Sequence, residues 1–177
     1  YGRKVAASAP CDILLVPEAP HISMQRVFCA LDFSEASAKA FDRALFLYDR
    51  FKPEIRCYFI HDTSKSYFPA STYKSADRSL SQAQKRHREF IDAFNRDSEA
   101  FPCLIEPVDE RTSQGERLYQ AAEDHDTDLI IVGATGDTET ETSLLGNIAE
   151  TLRRIQTHIP VMITKDKESH SFFSRLF

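Results

Sequence analysis

Short apolar segments of strand length alternate with amphipathic segments of helix length along most of this 177-residue chain. Strands that are each followed by a helix need crossover connections, and such connections build a parallel sheet with helices on its faces. The pattern therefore predicts an α/β fold with a doubly wound parallel sheet. The predicted strands span residues 26–32, 54–61, 103–108, 128–133 and 161–164. The predicted helices carry an apolar stripe and span residues 34–51, 79–100, 113–125 and 148–157.

The composition limits the kinds of binding partner and the cellular compartment that we expect for this protein. The formal net charge is −5, and no basic run could offset the charge of a nucleic-acid backbone, so we predict no nucleic-acid partner. Three of the four cysteines, Cys29, Cys57 and Cys103, lie within apolar segments, which favours core packing in a reducing compartment over disulfides or zinc. The sequence shows no signal peptide and no apolar run of membrane length. We therefore predict a cytoplasmic protein without a membrane partner.

Three of the five glycines, Gly133, Gly136 and Gly146, lie within fourteen positions between a predicted strand and a predicted helix. Glycine allows positive φ and a close approach of the backbone to a ligand, and a helix N-terminus offers free N–H groups to an anion. The spacing therefore indicates a nucleotide site. Two structural interpretations compete with it, since Asn147 and Glu150 also form a helix capping box and Gly133 could simply end its strand.

The position of such a site follows from the strand order. In open α/β sheets, ligands bind outside the carboxyl ends of the strands, at the point where the strand order reverses. If the order is 3-2-1-4-5, the reversal lies between the strand that ends at Asp32 and the strand that ends at Gly133. We therefore expect Asp32 and the glycine segment to face one crevice.

Two segments carry a family resemblance. Residues 30–35 read Ala-Leu-Asp-Phe-Ser-Glu before a predicted helix, and the glycine segment reads Gly133-x2-Gly136-x9-Gly146-Asn147. Together they resemble the universal stress protein family over residues 26–166. The resemblance implies a three-layer α/β sandwich of the adenine nucleotide alpha hydrolase-like type, with a five-stranded parallel sheet of order 3-2-1-4-5. It also implies an adenine nucleotide as ligand, because many members bind ATP or AMP in the crevice.

The resemblance assigns nucleotide contacts to ten residues. Neither a catalytic residue nor a metal ligand is predicted, because the sequence contains no motif for one. Asp32 would contact the ribose or the adenine edge. The base would be held by main-chain atoms of Ala30, Ile60 and Val132. The ribose and the phosphates would be bound, chiefly through backbone N–H groups, by Gly133, Thr135, Gly136, Gly146, Asn147 and Ile148.

Two features depart from the pattern of ATP-binding members. Asn147 stands where Ser or Thr is usual, so an amide replaces a hydroxyl group. The loop after Gly136 contains Asp137, Glu139 and Glu141 and no Lys or Arg. A carboxylate close to a phosphate costs on the order of 1 kcal/mol in a wet site. These carboxylates are compatible with binding if they point into solvent, if they share a divalent cation such as Mg²⁺ with the phosphates, or if the ligand is AMP.

The N-terminal segment repeats the last part of the predicted domain. Residues 4–16 run from a helix end through Pro10 into an apolar strand, as residues 152–164 do through Pro160, and the two prolines are 150 positions apart. The repeat predicts that the chain is part of a tandem protein. The predicted division is the end of a preceding repeat at 1–17, a linker at 18–25, the universal stress protein domain at 26–166 and a C-terminal tail at 167–177.

The repeat also predicts a strand pairing. By the family resemblance, the last strands of two such domains pair across a two-fold axis, in a dimer or within a tandem chain. We therefore expect residues 12–16 to pair antiparallel with residues 161–164, within one chain or by exchange between two. Leaving either edge bare would invite association.

Motifs of the common catalytic classes are missing from the sequence. It contains no GxxxxGK[ST] phosphate loop, no GxSxG nucleophile elbow and no HExxH zinc helix. Asp32 without a partner base is a binding group rather than a catalyst. The leading prediction is a universal stress protein domain that binds ATP or AMP and acts in a stress response through a dimeric or tandem assembly. The first alternative is a module of the same fold that binds no nucleotide and acts in interactions or binds another small ligand. The second is a slow ATPase or phosphotransfer enzyme. If the protein is an enzyme, we expect weak ATPase activity at most.

Overall fold

The computed structural model describes residues 11–18, 23–62, 73–108, 113–134 and 158–165. This part of the chain alternates strand and helix as predicted. The strands are β1 (Ile13–Leu15), β2 (Arg26–Leu31), β3 (Glu54–Asp62), β4 (Cys103–Val108), β5 (Leu129–Gly133) and β6 (Val161–Thr164). The helices are α1 (Glu35–Phe51), α2 (Tyr73–Asp92) and α3 (Gln114–Asp124), with a single 3₁₀ turn at Ser98–Ala100.

The six strands form one sheet in the order β1-β6-β5-β2-β3-β4. All neighbours from β2 to β6 pair in parallel, and read from the β4 edge these five strands follow the predicted order 3-2-1-4-5. The α/β class and the order of the parallel strands are therefore confirmed, although the described residues form six strands rather than five. The additional strand is β1, which pairs antiparallel with β6, with Ile13 opposite Ile163 and Leu15 opposite Val161. This is the predicted pairing, formed within one chain.

Helices cover both faces of the sheet and make it the middle of three layers. On one face, Phe28 of β2 packs in an apolar cluster with Leu118 of α3. On the other face, Cys29 of β2 packs in a second cluster with Phe41 of α1. Every residue of β5 is buried, as expected for a parallel strand that is covered on both faces. Below, the two sides of the sheet are called the α3 face and the α1 face.

The first and last of these helices begin where the sequence predicts. α1 follows Ser34, whose Oγ accepts a hydrogen bond from the N–H of Ser37 at 3.3 Å. α3 follows Ser113, although the side chain of Ser113 makes no capping hydrogen bond. The helix predicted at 148–157 lies outside the described residues. None of the helices within the described ranges is long and apolar enough to cross a membrane.

The helix predicted at 79–100 has different bounds in the structure. α2 begins six residues earlier, at Tyr73, and ends at Asp92. The chain then passes through Asn95, which has a left-handed backbone with φ 54°, and such a residue ends a helix. Asp97 starts the short 3₁₀ turn, because its Oδ1 accepts a hydrogen bond from the N–H of Glu99 at 3.0 Å. The apolar stripe in the sequence thus continues past the true end of the helix.

Three cysteines stand side by side across the sheet. Cys57 of β3 is opposite Cys29 of β2 and opposite Cys103 of β4. Cys29 and Cys57 are fully buried in the α1-face cluster, so the predicted core packing is confirmed for them. Burial raises the pKa of the Cys103 thiol to about 12 and raises the pKa values of the Cys29 and Cys57 thiols as well. Cys11, by contrast, is exposed.

Candidate functional site

The crevice predicted from the strand order lies at the carboxyl ends of β2 and β5. These strands are parallel neighbours, with Val27 opposite Leu129. β3 and β4 lie on one side of β2, and β5 and β6 lie on the other, so the strand order reverses between β2 and β5. Asp32 directly follows β2, and Gly133 ends β5. Both predicted residues are therefore located where α/β sheets usually bind ligands.

Asp32 is held in a turn that leads into α1. Its Oδ1 accepts a hydrogen bond from the N–H of Ser34 at 2.9 Å, and Ser34 caps α1 through the N–H of Ser37. Asp32 is half-buried, and among the described residues its Oδ2 has no hydrogen-bond partner. One carboxylate oxygen therefore fixes the turn, and the other is available to a ligand hydroxyl group.

Phe33, which follows Asp32, has a left-handed backbone with φ 63°. A bulky residue rarely adopts this conformation, and it persists only where its surroundings hold it. The centroid of the Phe33 ring is 4.8 Å from that of Phe59 and 5.6 Å from that of Phe90, and the guanidinium of Arg86 lies 4.7 Å from it. Side chains from β3 and α2 thus hold the turn that carries Asp32.

Gly133 brings the end of β5 into contact with the first turn of α1. A β-carbon at Gly133 would overlap the carbonyl oxygen of Ala36 and would lie 2.5 Å from its carbonyl carbon. Glycine is needed here because the neighbouring atoms belong to helix backbone, which cannot easily move. The φ angle of Gly133 is not positive, so glycine is required here by the close approach of the helix and not by a left-handed backbone conformation. Asp32 and Gly133 consequently flank the N-terminal turn of α1, the kind of helix end that favours an anion.

The three positions predicted to hold a base lie in one apolar cluster. Ala30, Ile60 and Val132 are buried and share the α3-face cluster with Leu118 and Ala122 of α3. They come from β2, β3 and β5, which are neighbours in the sheet. Because their side chains pack in this layer, only their main-chain atoms would be left to contact a ligand.

The remaining predicted residues lie outside the described part of the chain. The stretch that contains β5 is described up to Ala134, whose N–H donates a hydrogen bond to the carbonyl oxygen of Thr164 at 2.9 Å. The structure thus contains only the start of the glycine segment, next to the end of β6. Outside it are Thr135, Gly136, Gly146, Asn147 and Ile148 and the acidic residues Asp137, Glu139 and Glu141.

A polar network lies next to the predicted base-holding position in β3. The hydroxyl of buried Tyr58 donates a hydrogen bond to Oε2 of Glu106 at 2.8 Å, and Nη2 of Arg117 is 3.8 Å from the same oxygen. Glu106 is opposite Ile60 in the sheet. Burial, followed by the hydrogen bond to Glu106, raises the pKa of Tyr58. Tyr58 is therefore a neutral hydrogen-bond donor at neutral pH and fixes Glu106 of β4 beside β3.

Phe33, Ala36 and Tyr58 are neighbours of the site that the sequence did not predict. For Phe33 the available signal is a large aromatic residue at a strand-to-helix turn, where small or polar residues are usual. For Tyr58 it is a hydroxyl group within an apolar strand, because a buried tyrosine needs a hydrogen-bond partner. The contact of Ala36 with Gly133 depends on helix–strand packing and has no local signal. Within the described ranges, no group of three or more His, Cys, Asp or Glu side chains could hold a metal ion.

The chain is similar in sequence and in fold to one protein family. Its residues 24–165 match the model of the Universal stress protein family, and no sequence among the curated proteins matches the chain. Universal stress protein UspA from Lactobacillus plantarum superposes with a TM-score of 0.59 at 19% identity, over 82% of this chain and 100% of that one. A protein from the universal stress protein family of Burkholderia pseudomallei superposes with a TM-score of 0.56 at 20% identity, over 81% of this chain and 97% of that one. A universal stress protein from Archaeoglobus fulgidus DSM 4304 superposes with a TM-score of 0.58 at 15% identity, over 93% of this chain and 53% of that one.

Proposed function

Because this chain belongs to the universal stress protein family, we propose that it binds an adenine nucleotide, ATP or AMP, in the crevice between β2 and β5. We further propose that it acts in a stress response through a dimeric or tandem assembly built on its last strand. The family resemblance supports this function, because many members bind ATP or AMP in the same crevice.

The observation that carries the proposal is the arrangement of Asp32 and Gly133 around the first turn of α1. Asp32 has one carboxylate oxygen available to accept a hydrogen bond from a ribose hydroxyl group. Because Gly133 has no side chain, the end of β5 can contact Ala36. The glycine segment therefore starts close to the N-terminus of α1. A carboxylate for the sugar and a helix end for the phosphates match the two polar parts of a nucleotide.

The remaining contacts in the proposed complex follow the family pattern. Main-chain atoms of Ala30, Ile60 and Val132 hold the base, and their buried side chains make the wall of the crevice apolar. Mg²⁺ shared between the phosphates and the acidic residues after Gly136 would offset the negative charge of that loop. The phosphates are bound by Gly133, Thr135, Gly136, Gly146, Asn147 and Ile148.

Calorimetric titration of ATP, ADP and AMP, each with and without Mg²⁺, tests the proposal. Asp32→Asn removes the charge and keeps an oxygen that can accept the Ser34 N–H, so it leaves the turn intact. We expect it to weaken binding by about tenfold or more. Glu35→Gln is the matched control, because Glu35 is an exposed carboxylate at the same helix end and pairs with Lys39 at 3.3 Å. No heat with any nucleotide, or equal affinity of the wild type and Asp32→Asn, would contradict the proposal.

The acidic residues Asp137, Glu139 and Glu141 favour a second candidate function. In it, a member of the same fold binds no nucleotide and serves as an interaction module or binds another small ligand, because three carboxylates near the phosphate position oppose an anion. Mass spectrometry of the denatured protein separates the two functions. A copurifying adenine nucleotide supports the first, and its absence together with no calorimetric signal supports the second.

A further inference from the structure

Glu106 of β4 has one carboxylate oxygen without a hydrogen-bond partner among the described residues. Its Oε2 accepts the hydrogen bond from the hydroxyl of Tyr58 at 2.8 Å and lies 3.8 Å from Nη2 of Arg117. Its Oε1 makes no such contact within that part of the chain. The side chain of Glu106 is only 27% exposed, so protein surrounds most of it. Oε1 is therefore a half-buried acceptor that is available to a donor from outside the chain.

Gln114 provides a second acceptor of this kind on the same side of α3. It is the first residue of α3, and its Oε1 is buried without a hydrogen-bond partner among the residues that the structure describes. Gln114 lies three positions before Arg117, which approaches Glu106, and residues at this spacing share one side of a helix. Buried acceptors are normally satisfied. Two unsatisfied oxygens on this side of α3 indicate a ligand that donates hydrogen bonds.

The network contributes little to stability as a plain ion pair. The 3.8 Å between Nη2 of Arg117 and Oε2 of Glu106 is longer than a hydrogen bond, and the side chain of Arg117 is 46% exposed. A pair of this kind is worth little in water. Tyr58 and Arg117 also approach the same oxygen, Oε2, so neither of them satisfies Oε1.

Glu106 lies close to the position proposed for the base. It is opposite Ile60 in the sheet and, like Ile60, stands two residues before the end of its strand. It is on the α3 face, because Leu104, two positions earlier in β4, packs against the α3-face cluster. Neighbouring strands are about 4.8 Å apart. A base held by the main chain of Ile60 is therefore within reach of Glu106.

The order of the strands orients the base. Asp32 follows β2, Ile60 is in β3 and Glu106 is in β4, and these three strands are consecutive neighbours. With the ribose at Asp32 and the base at Ile60, the edge of a purine farthest from the glycosidic bond faces Glu106. In adenine this edge carries the 6-amino group, a hydrogen-bond donor, whereas in guanine it carries the 6-oxo group, an acceptor.

We propose that Glu106 is the residue that selects adenine: its Oε1 accepts a hydrogen bond from the 6-amino group and repels the 6-oxo group of other purines. The amino group has two hydrogens, and Oε1 of Gln114 accepts the second. Tyr58 is a positioning residue, because its hydroxyl holds Oε2 of Glu106 and leaves Oε1 for the ligand. This inference rests on the proposed nucleotide binding and adds side chains that recognise the base to the main-chain contacts.

Three nucleotides that differ at position 6 of the purine test the inference. AMP carries an amino group there, purine riboside 5′-monophosphate a hydrogen, and IMP an oxo group. We expect calorimetry to show that the wild type binds AMP about 10–100-fold more tightly than the purine riboside nucleotide, because a hydrogen bond to a charged group is lost. IMP should bind no more tightly than the purine riboside nucleotide. Asp32→Asn should weaken all three and so confirm that they occupy the crevice.

Glu106→Gln replaces the free acceptor by a donor. The amide oxygen can keep the hydrogen bond from Tyr58, which leaves the amide NH₂ in the place of Oε1. We expect the preference for AMP over the purine riboside nucleotide to fall to about twofold or less. The affinity for IMP should rise by about threefold or more, because an amide N–H can donate to the oxo group. Glu116→Gln, which removes an exposed carboxylate from the first turn of α3, is the matched control and should keep the wild-type preference.

Tyr58→Phe tests the positioning role. It removes only the hydroxyl of a buried side chain and allows the carboxylate of Glu106 to rotate. We expect the preference for AMP over the purine riboside nucleotide to fall by about threefold. A merely structural role of the hydroxyl would weaken both nucleotides by the same factor and leave the preference unchanged, and that result would overturn the role of Tyr58.

The outcomes separate this inference from the proposed function. Equal affinity of the wild type for AMP and the purine riboside nucleotide would overturn the inference and leave nucleotide binding in place. The same holds if Glu106→Gln weakens all three nucleotides by one factor, since Glu106 would then act on another part of the ligand or only on stability. No binding of any of the three nucleotides would overturn both the inference and the proposed function.

Discussion

Gly133 at the end of β5 contacts the backbone of Ala36 in the first turn of α1, with no space between them for a β-carbon. The contact joins the strand and the helix on the two sides of the crevice. It also sets how close the start of the glycine segment comes to the N-terminus of α1. Because a helix N-terminus favours an anion, the same contact serves packing and the proposed phosphate site.

Gly133→Ala tests this contact. We expect the substitution to lower the free energy of unfolding by about 1–3 kcal/mol, because the methyl group must push α1 away from the sheet. Urea unfolding followed by circular dichroism measures the change. Ala93→Ser, at an exposed position, is the control, and we expect it to stay within about 0.5 kcal/mol of the wild type. Equal stability of Gly133→Ala and the control would show that α1 moves without cost.

Phe33 allows its backbone strain to be separated from its ring contacts. Both Phe33→Ala and Phe33→Gly remove the ring from Phe59, Phe90 and Arg86, so both should be less stable than the wild type. At φ 63°, however, glycine avoids the left-handed penalty of about 1 kcal/mol that alanine retains. We therefore expect Phe33→Gly to be more stable than Phe33→Ala in urea unfolding. The usual order, with alanine the more stable, would mean that the turn relaxes once the ring is gone.

The sequence predicts the strands well because burial on both faces leaves continuous apolar segments. β6 has the predicted bounds, and β2 ends one residue before Asp32, where the chain turns into α1. The end of α2 was missed because the apolar stripe continues beyond Asp92, and only the left-handed backbone of Asn95 marks the true end. The pairing of β1 with β6 was predictable because a repeat of 150 residues links Pro10 and Pro160 and because the family resemblance implies that such last strands pair.

The site was predictable in its position but not in its geometry. The strand order and the residues after β2 and β5 locate Asp32 and Gly133 at one crevice. The reason for a glycine at 133 is its contact with Ala36, which comes from helix–strand packing and not from local turn chemistry. The same holds for Phe33, whose left-handed backbone is held by side chains from distant parts of the chain. Tertiary contacts of this kind leave little trace in local sequence patterns.

The cysteines should differ strongly in reactivity. Alkylation requires a thiolate, and burial raises the pKa values of the Cys29, Cys57 and Cys103 thiols. Cys11 is exposed. In the folded protein we expect iodoacetamide to modify Cys11 at least about 100-fold faster than Cys57, as measured by peptide mass spectrometry. In denaturant the four rates should converge, which serves as the control. Equal rates for Cys11 and Cys57 without denaturant would show that the sheet opens readily near β3.

His87 should make the stability of the fold depend on pH. It is buried on α2, and among the described residues its Nε2 has no hydrogen-bond partner. Burial lowers the pKa of His87, a hydrogen bond to the backbone of Phe101 partly opposes this, and the charge of Arg88 lowers the pKa further. Between this lowered pKa and the value of about 6.5 in the unfolded chain, the unfolded state binds more protons than the folded state. Protonation therefore favours unfolding within this window.

We expect the contribution of His87 to stability to be complete above about pH 6.5 and to decrease as the pH falls through the window below it. Urea unfolding at a series of pH values from about 5 to 8 measures the slope. His87→Leu removes the titrating group and fills much of the same buried space, so its free energy of unfolding should vary less with pH in this window. Comparison of the two proteins above the window separates any packing effect from the pH effect, because His87 is then neutral in both states. An identical slope in the wild type and in His87→Leu would assign the pH dependence to other groups.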